Sequence, residues 1–230
     1  MHNRKAFTLA ELVILVGVLG VLIVVLFVHV SRARWASIRV YSMKCHRQIG
    51  LTMIQYAGDH NDAFPNLVDA NGNEVPAVAT DGTISKEPAR SGFAILLKRG
   101  YLTTTRVFVH PATGDRIPKD FPNDFKDARL QDLILKEDEC SFGWDPTKKH
   151  SADATCAIIA DKPSKDVSEA NEGTAKNNSD NYGKRGQCVF YNDGHVKWQI
   201  TPVPDADNDP DIYTGAPGYE RSNTDAKIIR

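Results

Sequence analysis

The chain begins with a continuous run of apolar positions that has positive charges on both sides. From Leu12 to Val28 no residue is charged or strongly polar. About 17 residues at ~1.5 Å each give roughly 26 Å of helix, close to the hydrocarbon thickness of a bilayer. Arg4 and Lys5 precede the run, and Arg32 and Arg34 follow it. The pattern predicts a membrane-spanning helix.

This run is too long for a cleavable secretory signal, whose apolar core has ~7 to 15 residues followed by a small-x-small cleavage site. Arg32 and Arg34 stand where such a site would be. Arg4 and Lys5 favour a cytoplasmic N-terminus, although the arginines after the run weaken that preference. We therefore expect a single-pass anchor with the rest of the chain outside the cytoplasm.

Glu11 is an unusual residue at the start of a membrane helix. A carboxylate costs up to about 3 kcal/mol at mid-membrane and less near the interface. One explanation is that Glu11 lies among the lipid headgroups at the helix N-terminus, where a negative charge suits the helix dipole. Composition alone leaves open whether the acid has a further role.

The helical pattern continues beyond the apolar run. Apolar residues recur at multiples of three and four and form one stripe: Trp35, Ile38, Cys45, Ile49, Met53 and Tyr56. Gly58, the acidic turn after it and Pro65 predict the helix end. A single helix from Phe7 to about Ala57 would be about 75 Å long. The stripe predicts packing on the chain's own sheet; the alternative, a coiled-coil seam, would extend over only about three heptads.

Short elements separated by polar loops follow this helix. We predict a brief helix or strand at Gly92–Lys98 and a short strand at Val107–Val109. Asp127–Glu137 could form a surface helix with Leu130, Leu133 and Ile134 on one face, and Ala157–Ala160 is typical of a buried strand. The polar segment Asp161–Gln187 predicts an exposed loop.

The clearest local prediction is a β-hairpin over Cys188–Ile200, CVFYNDGHVKWQI. Two β-prone runs flank a turn in which Asp193-Gly194 favours positive φ. Because side chains alternate along a strand, one face of the second strand should point to the core and the other outward. We assign Val196, Trp198 and Ile200 to the core and His195, Lys197 and Gln199 to the outer face.

Composition fits one anchor and one folded domain. Of the 230 residues, 41% are hydrophobic, and 28 Lys and Arg balance 29 Asp and Glu, so charge gives no reason to expect a nucleic-acid partner. None of the four cysteines lies in a C-x-x-C pair, which argues against a zinc ribbon or a thioredoxin-like motif. In an oxidising compartment, candidate disulfides lie among Cys140, Cys156 and Cys188.

Candidate catalytic groups are scattered along the chain. They are His110, His150, His195, Asp161 and Asp193. None has helical ligand spacing, and the sequence has no H-E-x-x-H, no G-x-S-x-G and no glycine-rich phosphate loop. Asp193 is explained as a turn residue and His195 as an outward strand residue, so we predict that the protein is not an enzyme.

The acidic segment near the C-terminus is a candidate calcium site. Asp205, Asp207, Asp209 and Asp211 alternate with other residues in a loop and offer the hard oxygen ligands that calcium prefers. The segment departs from the EF-hand pattern, because Pro210 occupies the position of the required glycine. The alternative is a solvated acidic loop.

The N-terminal motif consists of Arg4-Lys5-Ala6, then Phe7-Thr8-Leu9-Ala10-Glu11, then an unbroken apolar helix. This motif resembles the signature of type IV pilins and type II secretion pseudopilins. The resemblance implies that a prepilin peptidase cuts between Ala6 and Phe7 and methylates the new terminal amine. It also implies that Glu11 pairs with that amine on a neighbouring subunit, so that a cation reaches a buried carboxylate in the assembled filament. Two departures are Ala6, where glycine is usual, and the absence of a proline in the stretch Leu26–His29.

Further segments resemble a large pilin-like group. CHRQIGLTMIQYAGDHNDAFP (Cys45–Pro65) is similar to its helix exit, and SDNYGKRGQCVFYNDGHVKWQ is similar to its C-terminal signature. CSFGWDPTKKH and IIADKP resemble the same group. In that signature a histidine lies about ten residues before Asp-Gly-His-Val, but here Tyr182 or Gly183 occupies the place, so a role of that histidine does not carry over.

The resemblance implies an α+β, pilin-like fold in which a long N-terminal helix packs on a small antiparallel sheet domain. The expected parts are a cleaved leader (1–6), the long helix (7–58, with 7–30 in the membrane) and an extracytoplasmic globular domain (59–230). The implied role is a structural subunit of a type II secretion pseudopilus or a type IV pilus-like filament in the inner membrane. The implied partners are the prepilin peptidase, other subunits, an assembly platform and lipid, and calcium sites are known in the C-terminal loops of major pseudopilins. The rival is a monomeric, membrane-tethered binding protein that uses a pilin-like signal for export.

Overall fold

The computed structural model describes residues 8–122, 124–204, 209–215, 219 and 222–230. The chain divides into two compact units, with the boundary between Val40 and Tyr41. A long N-terminal helix and small antiparallel sheets make up the described fold, which confirms the α+β class.

Helix α1 covers Leu9–Asp59, 51 residues, and confirms the predicted long helix to within one residue at its C-terminal end. It ends because the chain turns back on itself. Asn61 and Asp62 adopt positive φ angles of 52° and 61°, and the N–H of Asp62 donates to the carbonyl of Ala57 at 2.9 Å. This bond satisfies a carbonyl that the end of a helix leaves without an intrahelical donor.

The strands form two antiparallel sheets. A two-stranded sheet pairs β1 (Leu67–Val68) with β2 (Glu74–Val75). The main sheet has the order β3-β4-β5-β6, with β3 at Phe142–Trp144, β4 at Ala157–Asp161, β5 at Gln187–Tyr191 and β6 at Val196–Gln199. Its strands follow one another in chain order, so each pair is a local antiparallel connection. The predictions of a buried strand at Ala157–Ala160 and of a hairpin after Cys188 are confirmed.

The second part of α1 packs on this main sheet. Within the stripe, Cys45, Ile49, Met53 and Tyr56 are buried, and they belong to the same core cluster as the strand residues. A Cβ at Gly50 would overlap the ring of Phe190 on β5, so glycine permits the close approach of helix and sheet. These residues of the stripe therefore pack on the chain's own sheet, and the coiled-coil alternative does not apply to them.

Two predictions for the segment before the main sheet need refinement or are wrong. Gly92–Lys98 resolves to a helix, α2 (Phe93–Lys98), preceded by a 3₁₀ turn at Ala89–Gly92. Val107–Val109 is not a strand, since a 3₁₀ turn covers Arg106–Phe108.

The predicted surface helix over Asp127–Glu137 is also wrong. Two 3₁₀ turns, Leu130–Leu133 and Glu137–Glu139, replace it, with extended backbone at Ile134 (φ −73°, ψ 121°). Leu133 and Leu135 are both buried, and two residues separated by one cannot share a helix face.

Ile200 was assigned to the core face of the second hairpin strand and is 69% exposed. Strand β6 ends at Gln199, and the carbonyl of Ile200 accepts a hydrogen bond from the side-chain amide of Asn178 at 2.7 Å. The alternation of faces stops where the ladder stops. Val196 and Trp198, which were expected to face the core, are half-buried, and Lys197 between them is exposed. His195 and Gln199, which were expected to face outward, are half-buried as well, so the predicted alternation holds only over residues 196–198.

Candidate functional site

The residues that the sequence predicts for processing and assembly lie at the start of the chain. Ala6 and Phe7, the predicted cleavage residues, lie outside the described residues. Glu11 is described and lies in the first turn of α1, where an acidic side chain suits the positive end of the helix dipole.

Thr8 and Glu11 form a reciprocal cap at the start of α1. The backbone N–H and the hydroxyl of Thr8 donate to Oε2 of Glu11 at 2.8 and 2.9 Å. In return the N–H of Glu11 donates to Oγ1 of Thr8 at 3.3 Å. This is a capping box, which supplies partners for backbone donors at the helix start. Thr8 was not singled out from the sequence, although a Thr three residues before a Glu is the usual signal for this motif.

An apolar surface follows Glu11 along the helix. The large hydrophobic side chains that the structure describes between Leu9 and Val30 are 45% to 81% exposed. In the described part of the chain, α1 is the one helix that is long and apolar enough to cross a membrane. Contiguous apolar surface of this extent marks a face that contacts lipid or another protein.

The polar residues at the far end of this surface are satisfied by the helix itself. Nδ1 of His29 lies 2.9 Å from the carbonyl of Val25, and the hydroxyl of Ser31 donates to the carbonyl of Phe27 at 3.0 Å. Such back-bonds to the preceding turn reduce the cost of placing a polar side chain near lipid. The stretch where many pilins carry proline is continuous helix in this chain.

The candidate catalytic groups are not assembled into one site. Nδ1 of His195 contacts Asp193 Oδ1 at 2.6 Å, and Nδ1 of His150 lies 3.0 Å from the side-chain oxygen of Asn192. His110 is buried, and its Nδ1 accepts from the N–H of Ala112 at 3.1 Å. Burial lowers the pKa of His110. Each of these contacts orders a turn or loop next to the histidine.

Asp161 instead forms the centre of a buried polar cluster that the sequence did not predict. Its carboxylate accepts from the N–H of Cys188 at 2.7 Å, the amide of Asn181 at 2.8 Å and the hydroxyl of Ser42 at 3.4 Å. These bonds join β4 to β5, to the segment before β5 and to α1. The cluster is structural, because every contact holds one element of the fold against another.

The segment Asp161–Gln187, whose composition predicts an exposed loop, is exposed in its middle part and buried toward both ends. Asn177, Asn178, Ser179, Asn181 and Tyr182 are buried. The side chains of the three asparagines and of Ser179 bind backbone atoms; for example, the hydroxyl of Ser179 donates to the carbonyl of Lys162 at 2.7 Å. Polar residues are tolerated inside when such bonds replace those to water.

The structure describes two of the four predicted calcium ligands. Asp205 and Asp207 lie outside the described residues, whereas Asp209 and Asp211 are buried. Asp209 accepts from the N–H groups of Asp211 and Ala226, both at 3.1 Å. Asp211 accepts from the amide of Asn177 at 2.7 Å and from the N–H groups of Gly173 and Tyr213. Burial raises the pKa of Asp209 to about 7, and it also raises the pKa of Asp211.

These two carboxylates are loop anchors in the structure. Among the described residues, no group of three or more His, Cys, Asp or Glu side chains is arranged to hold a metal ion. A calcium ion at the acidic segment stays a prediction of the sequence.

All four cysteines are described, and all are free and buried. The candidate disulfides among Cys140, Cys156 and Cys188 are thus not present in the structure. Burial raises the pKa of Cys140 and of Cys156 to about 12, which keeps both as neutral thiols and disfavours thiolate chemistry.

A surface groove of about 730 Å³ is lined by charged side chains of both signs. Its cations are paired with its carboxylates: Lys162 with Asp115 at 2.7 Å, and Arg230 with Glu137 at 2.9 Å. The lining has five acidic and three basic side chains. Two of the additional carboxylates pair with cations outside the lining, Asp138 with Arg116 at 3.0 Å and Asp166 with Lys184 at 3.4 Å, so most of the charge is compensated.

Comparison with models of known families, with curated proteins and with solved structures finds no match to the chain. The functional argument therefore rests on the residues and on their geometry.

Proposed function

We propose that the chain is a structural subunit of a pilin-like filament, either a type II secretion pseudopilus or a type IV pilus-like fibre. One observation carries the proposal: Glu11 lies in the first turn of a helix that exposes apolar side chains from Leu9 to Val30. A helix that only anchors a domain needs the apolar surface and would use the carboxylate as a helix cap alone, whereas a filament subunit would use its negative charge as well.

In this proposal, assembly moves the apolar surface of α1 from lipid into the core of a filament of such helices. A carboxylate enters such a core only if a cation pairs with it. The amine of Phe7, freed by cleavage after Ala6 and methylated, supplies that cation from the neighbouring subunit. The charge pair would fix the axial register between subunits.

If Glu11 pairs with the amine of a neighbouring subunit, this pair must replace the hydrogen bonds of the capping box. In the single chain, Thr8 satisfies Oε2 of Glu11 through two hydrogen bonds. Each such bond contributes ~0.5–1.5 kcal/mol net, somewhat more when the acceptor is charged. A direct bond to a cationic amine in an environment without water is stronger than these. Assembly is therefore favoured even where it breaks the cap.

The proposal places the chain in the inner membrane with its N-terminus in the cytoplasm and residues 59–230 outside it. The partners would be the prepilin peptidase, other pilin or pseudopilin subunits, an inner-membrane assembly platform and membrane lipid. We expect neither a nucleic-acid partner nor an enzymatic activity.

Crosslinking of subunits through the helix tests this function against the rival, a monomeric tethered binding protein. Val16 and Val21 are 60% and 67% exposed, so cysteines placed there can reach a second chain. The native thiols are buried and leave the background low. Filament assembly predicts a ladder of oligomers under oxidation in cells, and a monomer band alone would favour the rival.

N-terminal sequencing of the membrane-extracted protein tests the processing step separately. A start at methylated Phe7 would support the proposal, whereas an intact Met1 in wild-type cells would contradict it.

A further inference from the structure

Two buried histidines each have one ring nitrogen without a protein partner. His46 lies on the part of α1 that packs on the main sheet, and His110 lies shortly after the 3₁₀ turn Arg106–Phe108. Both side chains are fully buried. In the described part of the chain, no hydrogen-bonding atom lies within reach of Nε2 of either ring. Such an atom is rare in a folded protein, because burial removes the water that it would otherwise bind.

Both rings lie at the polar cluster around Asp161. The ring of His46 packs edge-on against Phe142, the ladder partner of Asp161, with centroids 4.5 Å apart. The ring of His110 packs edge-on against Tyr182, with centroids 4.6 Å apart. Burial lowers the pKa of His110; the charge of Asp161 opposes this shift, and a charge on His46 would add to it. The two imidazoles are therefore close enough to interact, although they are not bonded to each other directly.

The other ring nitrogen of each histidine determines its tautomer. Nδ1 of His46 lies 2.9 Å from the carbonyl of Ser42, and a carbonyl only accepts, so this Nδ1 carries a hydrogen. Nδ1 of His110 accepts from the N–H of Ala112 at 3.1 Å, so it presents a lone pair. In a neutral imidazole one nitrogen donates and the other accepts. Nε2 of His46 is therefore an acceptor, whereas Nε2 of His110 is a donor.

The carboxylates around His110 are already engaged with other groups. Asp161 accepts from Cys188, Asn181 and Ser42, as described above. Asp115 pairs with Lys162 at 2.7 Å and accepts from the hydroxyl of Ser141 at 2.6 Å. The acceptor on His46 and the donor on His110 are thus complementary groups that share one buried region.

We propose that a single buried water molecule binds between His46 and His110. The water would donate to Nε2 of His46 and accept from Nε2 of His110, so one molecule satisfies both rings. Buried waters make ~2–4 hydrogen bonds to polar groups that have no other partner. The bridge connects α1 to the segment after Phe108, and it is independent of the filament proposal.

The tautomers also select water over a metal ion. A metal ion at Nε2 needs a lone pair on that nitrogen, and the hydrogen bond of the other ring nitrogen decides where the lone pair is. The N–H of Ala112 takes the lone pair of Nδ1 in His110 and leaves the hydrogen on Nε2. Two histidines with opposite tautomers match a ligand that donates and accepts at once.

Nuclear magnetic resonance of the full chain in detergent, with ¹⁵N-labelled histidine, tests the site in the wild type. At pH 8, above the ordinary range of histidine, long-range correlations show which ring nitrogen carries the hydrogen. We expect the Nδ1–H form for His46 and the Nε2–H form for His110, with a nuclear Overhauser contact between the latter hydrogen and a water of long residence time. The same tautomer in both rings, or no water contact at Nε2 of His110, would overturn the proposal.

Addition of zinc at the same pH distinguishes a water site from a metal site. We expect the Nε2–H signal of His110 and the Tm of the chain to stay unchanged in zinc. Loss of that signal together with a higher Tm would show that the two histidines bind a metal ion, and it would overturn the water bridge.

A double-mutant cycle tests whether the two histidines act together. After His46→Leu the water has lost one of its partners, so His110→Leu should cost less than it does in the wild type. We expect the Tm loss of the double variant to be about 2–4 °C smaller than the sum of the two single losses. The control pairs His110→Leu with His150→Leu, since His150 is bound to Asn192 instead, and these losses should add. Additive losses for His46 and His110 as well would contradict the bridge.

Discussion

The side chain of Glu11 accepts two hydrogen bonds from Thr8, one from its backbone N–H and one from its hydroxyl, at 2.8 and 2.9 Å. This relationship gives Glu11 a partner in the single chain and removes the need for a second subunit to explain its presence in the first turn. The capping role and the assembly role can be separated, because a cap needs an acceptor and an assembly contact needs a negative charge.

Glu11→Gln is the substitution that separates them. Glutamine keeps the length and an acceptor oxygen for Thr8 but cannot pair with a cationic amine. We expect Glu11→Gln and Glu11→Ala to reduce filament yield to a similar, severe degree, measured by shearing and immunoblotting. The thermal unfolding of the globular unit should be unchanged in both. Normal filament yield from Glu11→Gln would show that Glu11 is only a helix cap.

Gly50→Ala tests the packing of α1 on the sheet. The added methyl group would overlap the ring of Phe190, and forcing extra volume into a packed core costs about 1–3 kcal/mol. For a chain of this size each kcal/mol lowers Tm by about 2–4 °C. Gly58→Ala is the matched control, since no atom lies within 4 Å of a Cβ there and the helix propensity of alanine is higher. Equal Tm values for the two variants would mean that the helix does not approach β5 as closely as described.

Lys148→Met tests a buried cation that holds the C-terminal region. Nζ of Lys148 lies 3.9 Å from Asp145 and donates to the carbonyls of Tyr219 and Ser222, the latter at 3.0 Å. Removing it leaves the carboxylate of Asp145 buried without its cation, which costs about 3–5 kcal/mol.

The exposed neighbour Lys149 supplies the control, and Lys149→Met should unfold at the wild-type denaturant concentration. Adding Asp145→Asn to Lys148→Met should recover part of the loss. If the single variant is as stable as wild type in denaturant titration, Lys148 has no role in holding the C-terminal region.

Asp209 should make the stability of the protein depend on pH. Its pKa is raised to about 7 by burial, with a contribution from the charge of Asp225. In the unfolded chain an aspartate titrates near ~3.9, so its protonated form stabilises the fold at low pH, and this contribution is lost as the pH rises through about 7. Relative to Asp209→Asn, the wild type should lose about 2 kcal/mol between pH 5.5 and pH 8. A pH-independent difference in Tm would contradict the raised pKa.

Addition of calcium tests whether the acidic segment near the C-terminus binds this ion. If the ion binds there, millimolar calcium should raise the Tm of wild type at pH 8, where Asp209 is ionised, and should have less effect at pH 5.5. Magnesium serves as the control, because it tolerates crowded carboxylates and irregular geometry less well. No change in Tm and no heat of binding at pH 8 would show that the acidic segment does not bind calcium.

The sequence by itself determined the elements that depend only on neighbouring residues, such as the apolar helix and the tight turn. The run Leu12–Val28 predicts a long apolar helix whatever surrounds it, because no other structure satisfies the backbone of such a sequence in lipid. Asp193-Gly194 predicts a tight turn between two β-prone runs, and Gly194 adopts the positive φ of 89° that such a turn needs.

The tertiary structure decided everything that depends on which distant groups meet. Asn177, Asn178 and Asn181 are polar residues typical of a loop, and they are buried because carbonyls and a carboxylate from other segments accept their hydrogen bonds. Leu133 and Leu135 lie within a sequence pattern typical of a helix, but both are buried, and residues two apart do not share a helix face. Local propensity has a range of a few residues, whereas burial and hydrogen-bond satisfaction are properties of the whole fold.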